Sequence, residues 1–300
     1  MDVYAGPVNF NSEVVKKNKI KSIVLDIVDK PDGSIIIDKG ATQGFDFDVD
    51  GKLVRYYYTM LNRIEKEEVD VPAIKKRGRI IRPATTRTVT HYFNDTIFTN
   101  IFYDEQNRII SRRVQAGDYY DAYYYEYNEQ GKIKKEMHTR ETSVGETKYQ
   151  FKLGVQKILS SETFEYETLT PTQVKKKCLN DEGREYKKAI INYDAAGNKL
   201  SEGYDFIVSW MRQESKYEYN TVNLMTKRVF TSNESGDVKD ESTFEYDGSG
   251  ILITEKKIKN TEVLNEISYL FDEAKLVKSH INRDFKNSSI GIVKYAYTFY

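Results

Sequence analysis

The densest run of candidate metal ligands is Asp46-Phe47-Asp48-Val49-Asp50-Gly51, with Leu53 two residues on. Carboxylates at alternate positions ahead of a glycine match the first half of a calcium loop. An EF-hand closes on a bidentate Glu at its twelfth position, and here Tyr57 stands there. Asp46, Asp48 and Asp50 are thus the one calcium candidate, set against a plainer reading of the same residues as a hairpin tip. His91, His138 and His280 are all the histidines, each in a polar stretch without a neighbouring His or Cys. Cys178 is the only cysteine, so no disulfide or thiolate cluster can form within the chain. Serine-nucleophile elbows and phosphate-cradling glycine loops are absent from the sequence. The expectation is therefore no catalytic residue, no cofactor and no enzyme, although plentiful Asp and Glu leave a glycosidase pair open.

Aromatic residues offer a different chemistry. Tyr119, Tyr120, Tyr123 and Tyr124, continuing into Tyr125 and Tyr127, could stack sugar rings or cover a partner protein, as could Tyr56, Tyr57 and Tyr58. The competing reading is that alternate members pack a sheet while the others are solvated strand residues. Trp210, beside Met211, is expected as a large core anchor.

Charge narrows the partners. Lys plus Arg and Asp plus Glu both number 46, so no net field gathers nucleic acid, and none is expected as a partner. A local excess of cations, Lys75, Lys76, Arg77, Arg79, Arg82 and Arg87, follows the acidic Glu65, Glu67, Glu68 and Asp70. That stretch reads as an irregular, solvated and charge-paired insertion near residues 60–100, with a phosphate or polyanion site as the alternative. No apolar run is long enough for a membrane-spanning helix. Met1-Asp2-Val3-Tyr4 lacks a basic and apolar leader, so the compartment stays open between cytoplasmic and a mature exported form.

The elements that must hold these side chains are strands. With 24 Tyr, 14 Phe and only 5 Pro among 31% charged residues, the chain suits pleated, half-wet surfaces. Its repeat is an aromatic, any residue, an aromatic, Asp or Asn, two residues, Gly or Asn, then an apolar residue two later. Copies are Phe45-Asp46-Phe47-Asp48 with Gly51, Tyr125-Glu126-Tyr127-Asn128 with Gly131, and Phe244-Glu245-Tyr246-Asp247 with Gly250. Tyr103-Asp104 with Asn107 and Tyr219-Asn220 with Asn223 are looser copies. Tyr193-Asp194 with Gly197 carries an extra residue before Leu200, and Phe271-Asp272 lacks the glycine and reaches Leu276 early. From Tyr166 to Tyr297 the second aromatic recurs about every 26 residues, the mark of a repeat architecture.

Alternation puts both aromatics on one face of a strand. The Asx side chain then accepts from backbone N–H groups two residues on, and the residue three later takes positive φ in a type I turn with a G1 bulge. Asp48, Gly51, Asn128, Gly131, Asp194, Gly197, Asp247 and Gly250 are assigned to such turns. Apolar spacing permits short helices only at Leu61–Val69 and Phe151–Leu159.

These copies resemble the tyrosine–aspartate (YD) repeats of the bacterial Rhs family, most closely at Phe47-Asp48 with Gly51-Lys52-Leu53, Tyr127-Asn128 with Gly131-Lys132-Ile133, and Tyr246-Asp247 with Gly250. The resemblance implies hairpin-built β shells that enclose a cargo and reside at the bacterial envelope or outside the cell. Here the period is longer, and seven or eight hairpins are expected to be too few to close a shell. What carries over is the fold type and an envelope location.

The fold expected is all-β: one domain over residues 1–300, a long twisted antiparallel meander of hairpin repeats in a single-layer or partly wrapped sheet. The function expected is a non-catalytic secreted, periplasmic or surface protein presenting an aromatic-rich sheet to a protein or glycan. A polysaccharide-acting hydrolase and a purely structural spacer are the alternatives. Sites are expected where the period breaks, within residues 60–100 and 140–185.

Overall fold

The computed structural model describes residues 11–76, 79–145, 151–234 and 238–300. A short helix α1 (Ser12–Lys17) leads into β1 (Ile20–Pro31), β2 (Ile37–Phe47) and β3 (Leu53–Val71). A small ribbon follows, β4 (Ile74–Lys76) with β5 (Arg79–Arg82), and then β6 (Thr85–Tyr103), β7 (Ile109–Ala116), β8 (Tyr119–Tyr127) and β9 (Ile133–Ser143). Next come β10 (Leu153–Thr170), β11 (Gln173–Leu179), β12 (Glu185–Tyr193), β13 (Lys199–Phe206) and β14 (Arg212–Tyr219). The last six are β15 (Met225–Ser232), β16 (Val238–Tyr246), β17 (Leu252–Lys259), β18 (Glu262–Phe271), β19 (Val277–Asp284) and β20 (Ser289–Phe299).

Apart from the β4–β5 ribbon, each strand pairs antiparallel with its predecessor and successor, β3 passing directly to β6. The first strand then pairs with the last, Ile20 opposite Phe299 through Pro31 opposite Ser289. The sheet of 18 strands is therefore a closed barrel. This corrects the open or partly wrapped meander: no main-sheet strand is left at an end, because the ends that would form the open edges satisfy each other. The hairpins are enough to close after all.

Directly opposed residues share a face, so one face can be followed around the ring. It runs from Ile23 through Phe45, Tyr56, Thr99, Ile101 and Arg112 to Tyr123 and Tyr125. It continues through Glu136, Glu162, Phe164, Cys178, Lys187, Ala189 and Tyr204. It returns by way of Phe230, Phe244, Ile267, Tyr269, His280 and Val293. Two apolar clusters lie on this aromatic face. One joins Val15 of α1 to Ile23, Leu25, Phe45, Phe47 and Ile101. The other gathers Tyr125, Ile133, Phe164 and Cys178.

The opposite face is laced with ion pairs such as Lys177–Glu165, Lys175–Glu167 and Lys227–Glu241. The accessible surface, 19491 Å², well exceeds the ~13,000 Å² of a compact protein of 35.0 kDa. A ring with accessible surface on both faces, and with hairpins projecting beyond it, accounts for the excess.

Three local expectations are corrected. Leu61–Val69 lies in β3, and Phe151–Leu159 runs into β10 with no helix. The helix that does form is α1, whose cap Asn11 accepts from the Glu13 and Val14 amides. Trp210 is 87% exposed in the turn between β13 and β14, at φ +54°, and anchors no core. Seven tips, moreover, share one pattern without the insertion and deletion read from the sequence: the strand after Asp194 begins at Lys199, and that after Asp272 at Val277.

Candidate functional site

The tips of the repeat are built by one short circuit of hydrogen bonds. In each, the Asx Oδ1 accepts from the amide four residues on, as Asp48 does from Lys52 and Asn128 from Lys132. The residue three on takes positive φ, whether Gly131 at 73°, Asn107 at 65° or Lys275 at 61°. Lys275 is why the copy at Asp272 needs no glycine: Asp272 still accepts from Leu276. The same turn occurs once at the other rim, Asn180 with Gly183, and the sequence pattern missed it because Leu179 replaces the aromatic.

The second aromatic has a further role. Its hydroxyl donates to the carbonyl of the first residue of the strand that follows the preceding tip. Tyr103 reaches Leu53 (2.9 Å), Tyr127 reaches Ile109 (2.8 Å), and Tyr166 reaches Ile133 (3.0 Å). Tyr219, Tyr246 and Tyr297 do the same with Lys199, Met225 and Val277. In the first three, the basic residue before the acceptor covers the same ring: Lys52 over Tyr103, Arg108 over Tyr127 and Lys132 over Tyr166. Six hairpins are thereby clasped to the one before, whereas Phe271 has no hydroxyl with which to do so.

Between these clasps lies a groove of about 380 Å³ along the aromatic face. Tyr127, Ile133, Tyr166, Val174, Ile191 and Tyr193, from successive strands β8 to β12, line it with Arg108 and Lys132 from the turns. It presents flat rings with cations at one side, the surface that sugar rings or extended chains stack upon.

Further along the same strands is a buried polar cluster that the sequence did not reveal. Glu136 and Glu162 are opposed across β9 and β10. Burial, with Glu162 adding to it, raises the Glu136 carboxyl above the usual range. Glu162 accepts from Tyr186 and pairs with Lys187 at 3.0 Å. Burial opposes the charge of Lys187, yet Tyr186 and Glu162 outweigh it and hold its pKa above normal. Lys176 is 1% exposed, its ammonium 3.7 Å from the Phe164 ring centre, and burial lowers its pKa. Beside it burial pushes the Cys178 thiol up to about 12, which leaves an inert sulfhydryl. Glu202 accepts from Tyr204 at 2.6 Å and meets Lys199 at 3.2 Å; these partners overcome burial and keep its pKa below normal. The signal in the sequence was alternation alone: the aromatic and the charged residue occupy the same face two apart, as Glu162 and Phe164 do.

The three aspartates proposed for calcium serve separate partners. Asp46 binds Arg55 at 2.6 Å, Asp48 caps its turn, and Asp50 pairs with Lys16 of α1 at 2.9 Å. Among the described residues no group of three or more acidic, His or Cys side chains is placed to hold a metal. The histidines are far apart in use. His91 meets Glu67, His138 stacks on Tyr123 at 4.4 Å, and His280 lies 2.9 Å from the Tyr295 hydroxyl, its pKa lowered by burial to about 4.

The tyrosine run divides between faces. Tyr123 lies on the aromatic face under Arg112, and Tyr119 sits beneath Arg140 at 4.0 Å. Tyr120 is buried on the other side against Phe151, and Tyr124 donates to Glu141, a carboxylate 0% exposed that also binds Arg113. The run therefore forms no single platform. The charges of residues 60–100 are likewise separated along the β3–β6 hairpin: Glu67 and Asp70 lie on paired strand, whereas Lys75, Lys76, Arg79 and Arg82 lie on the ribbon beyond. Arg77 falls outside the described residues.

No family model matches the chain, and no curated protein matches it. The likeness to YD repeats thus rests on the turn residues, and what the structure bears out is an all-β array of repeating hairpins. Among solved structures, a porin-like protein from Bacteroides uniformis ATCC 8492 aligns over 94% of this chain and 97% of its own, with 11% identity and a TM-score of 0.40. A TcdB2-TccC3 structure lacking its hypervariable C-terminal region aligns over 85% of this chain and 22% of its own, with 10% identity and a TM-score of 0.15. Both likenesses are distant, and the closed barrel is read from this chain's own strand pairings.

Proposed function

We propose that the protein is a non-catalytic, water-exposed barrel of the cell envelope or extracellular space that binds a glycan along its aromatic groove. The observation that carries this reading is the row of Tyr127, Tyr166 and Tyr193 in one groove of about 380 Å³. The hydroxyls of Tyr127 and Tyr166 are already bonded to backbone carbonyls, so their rings are held before any ligand arrives. Charges on both faces favour a barrel in water over one in a bilayer. Glu136, Lys176 and Glu202 occupy the aromatic face, and Glu165, Lys177 and Glu241 the other. Turning either face to lipid would set charged side chains against hydrocarbon, at about 2–4 kcal/mol for each Lys or Arg near mid-depth.

A glycan array followed by calorimetry tests the reading. Tyr193→Ala should weaken binding at least tenfold, whereas Tyr166→Phe, which keeps the ring, should retain most of it. An array without any bound glycan sinks the proposal. The opposed Glu136 and Glu162, one carboxyl raised by burial and the other paired with Lys187, support a second reading, a glycoside hydrolase that works with two carboxylates. Product release from a bound glycan, abolished by Glu162→Gln, would favour it over simple binding.

A further inference from the structure

Beyond Thr59, whose hydroxyl accepts from the Thr42 amide of β2 and donates to its carbonyl, the strand β3 pairs only with β6, and β6 pairs with β7 only from Thr99 onward. The outer part of this hairpin therefore stands away from the ring as a two-stranded arm. Near its base, Asn94 donates to the Lys39 carbonyl. From Glu65 to Val71 the shaft extends by roughly 20 Å at ~3.3 Å per residue. Pro72 and Pro83 then interrupt both strands, since neither can donate to a ladder, and the β4–β5 ribbon forms the tip.

The arm is electrically divided. Its shaft carries Glu65, Glu67, Glu68 and Asp70, yet the sequence has no Asp or Glu from Val71 to Asn94. Lys75, Lys76, Arg79 and Arg82 lie on the tip, all exposed, and Arg87 lies just below it. Among the described residues none of these five cations has a carboxylate within ion-pair distance, while Glu65 and Glu67 meet Arg63 and His91. Interleaved with the cations are Ile74, Ile80 and Ile81, which are 52%, 61% and 60% exposed. Ile80 and Ile81 are adjacent on one strand and point to opposite sides, so both sides of the ribbon present apolar surface.

We infer that this tip is a docking element for an anionic lipid bilayer: the lysines and arginines bind lipid phosphates, and the isoleucines enter the headgroup boundary. Cations alone would equally suit a nucleic acid. Exposed branched aliphatics beside them suit an acyl boundary, and the absence of any aromatic residue from Val71 to Thr90 removes the usual stacking platform for bases. Lysine and arginine stems extend their charges toward the headgroups while their methylenes stay with the isoleucines. The acidic shaft is repelled by the same surface, which leaves the tip as the contact.

Flotation with vesicles of phosphatidylglycerol mixed with phosphatidylcholine, against pure phosphatidylcholine, tests the inference. The protein should float with the anionic vesicles, release as salt rises, and stay behind with the neutral ones. Lys75→Gln, Lys76→Gln, Arg79→Gln and Arg82→Gln should each cost about fivefold in binding. Ile80→Asn with Ile81→Asn should cost tenfold or more, and Ile80→Trp should show a blue-shifted, lipid-quenched emission on binding. Melting curves of these variants should match the parent, because the tip lies outside the ring. The inference fails if the fourfold glutamine variant floats like the parent, or if the tryptophan of Ile80→Trp stays in water. It also fails if a mixed-sequence oligonucleotide competes the protein off the vesicles through the isoleucine-independent charge alone.

Discussion

At Lys176 an ammonium that is 1% exposed lies 3.7 Å from the Phe164 ring centre, and among the described residues no carboxylate comes within ion-pair distance. Burial lowers its pKa, so the folded state holds this proton less tightly than the unfolded chain does. Stability should therefore rise with pH between that lowered value and the ordinary lysine pKa of about 10.4. Lys176→Met, which keeps the length and drops the charge, should stabilise by ~1 kcal/mol or more at neutral pH. Denaturant melts across a pH series would check both, the gap between variant and parent shrinking as pH climbs. Turn positions allow a second residue-scale comparison. At Gly131, φ is +73° and a Cβ would meet nothing, so Gly131→Val should cost about 1–2 kcal/mol in strain alone. At Gly51 the same atom would sit 2.3 Å from the Ser12 carbonyl oxygen, so Gly51→Val should cost clearly more. Equal melting temperatures for the two variants would contradict the packing of α1 against this tip. The tips were legible because Asx and Gly have local reasons to stand where they do. Lys176 was not, because a lysine between two lysines reads as a wet strand until Phe164 is placed opposite Cys178.

Among the elements, the phenol clasp is the device that ties hairpin to hairpin. Tyr127→Phe and Tyr246→Phe each remove one hydroxyl-to-carbonyl bond and keep the ring, and each should cost about 1 kcal/mol. The two lie on well-separated strands, so the double variant should lose the sum, measurable by urea titration. A loss much greater than the sum would mean that the clasps act as one network. Alternation revealed which aromatics share a face, but a hydroxyl's partner on the neighbouring hairpin has no local signature. The failed helix at Leu61–Val69 has a related cause. Its apolar spacing fits a helix turn, yet the segment pairs through Leu61 opposite Asn94 to Val69 opposite Arg87 with a threonine-rich strand. Long-range pairing overrode local spacing there, as β propensity depends on the partner.

For the molecule as a whole, closure rests on β1 and β20, which lie at opposite ends of the sequence. Nothing in either strand announces the other, so an open meander was the natural reading of the repeat. Deleting residues 289–300 should expose the unpaired edges of β1 and β19 together. Light scattering should then find oligomers or aggregates where the intact chain gives a single species; a monodisperse, equally stable truncation would show that closure contributes little. The groove depends on the same ring, since its walls come from successive strands whose curvature closure fixes.

Where the clasp occurs, it joins a hairpin to its immediate predecessor and to nothing farther. A duplicated hairpin could therefore enter the ring by parting one pair of neighbouring strands and repeating the same bond types on either side. Twenty strands in place of 18 would widen the bore by roughly a tenth. Copy number would then act as a dial on calibre, set by duplication or loss in the gene rather than by point substitution.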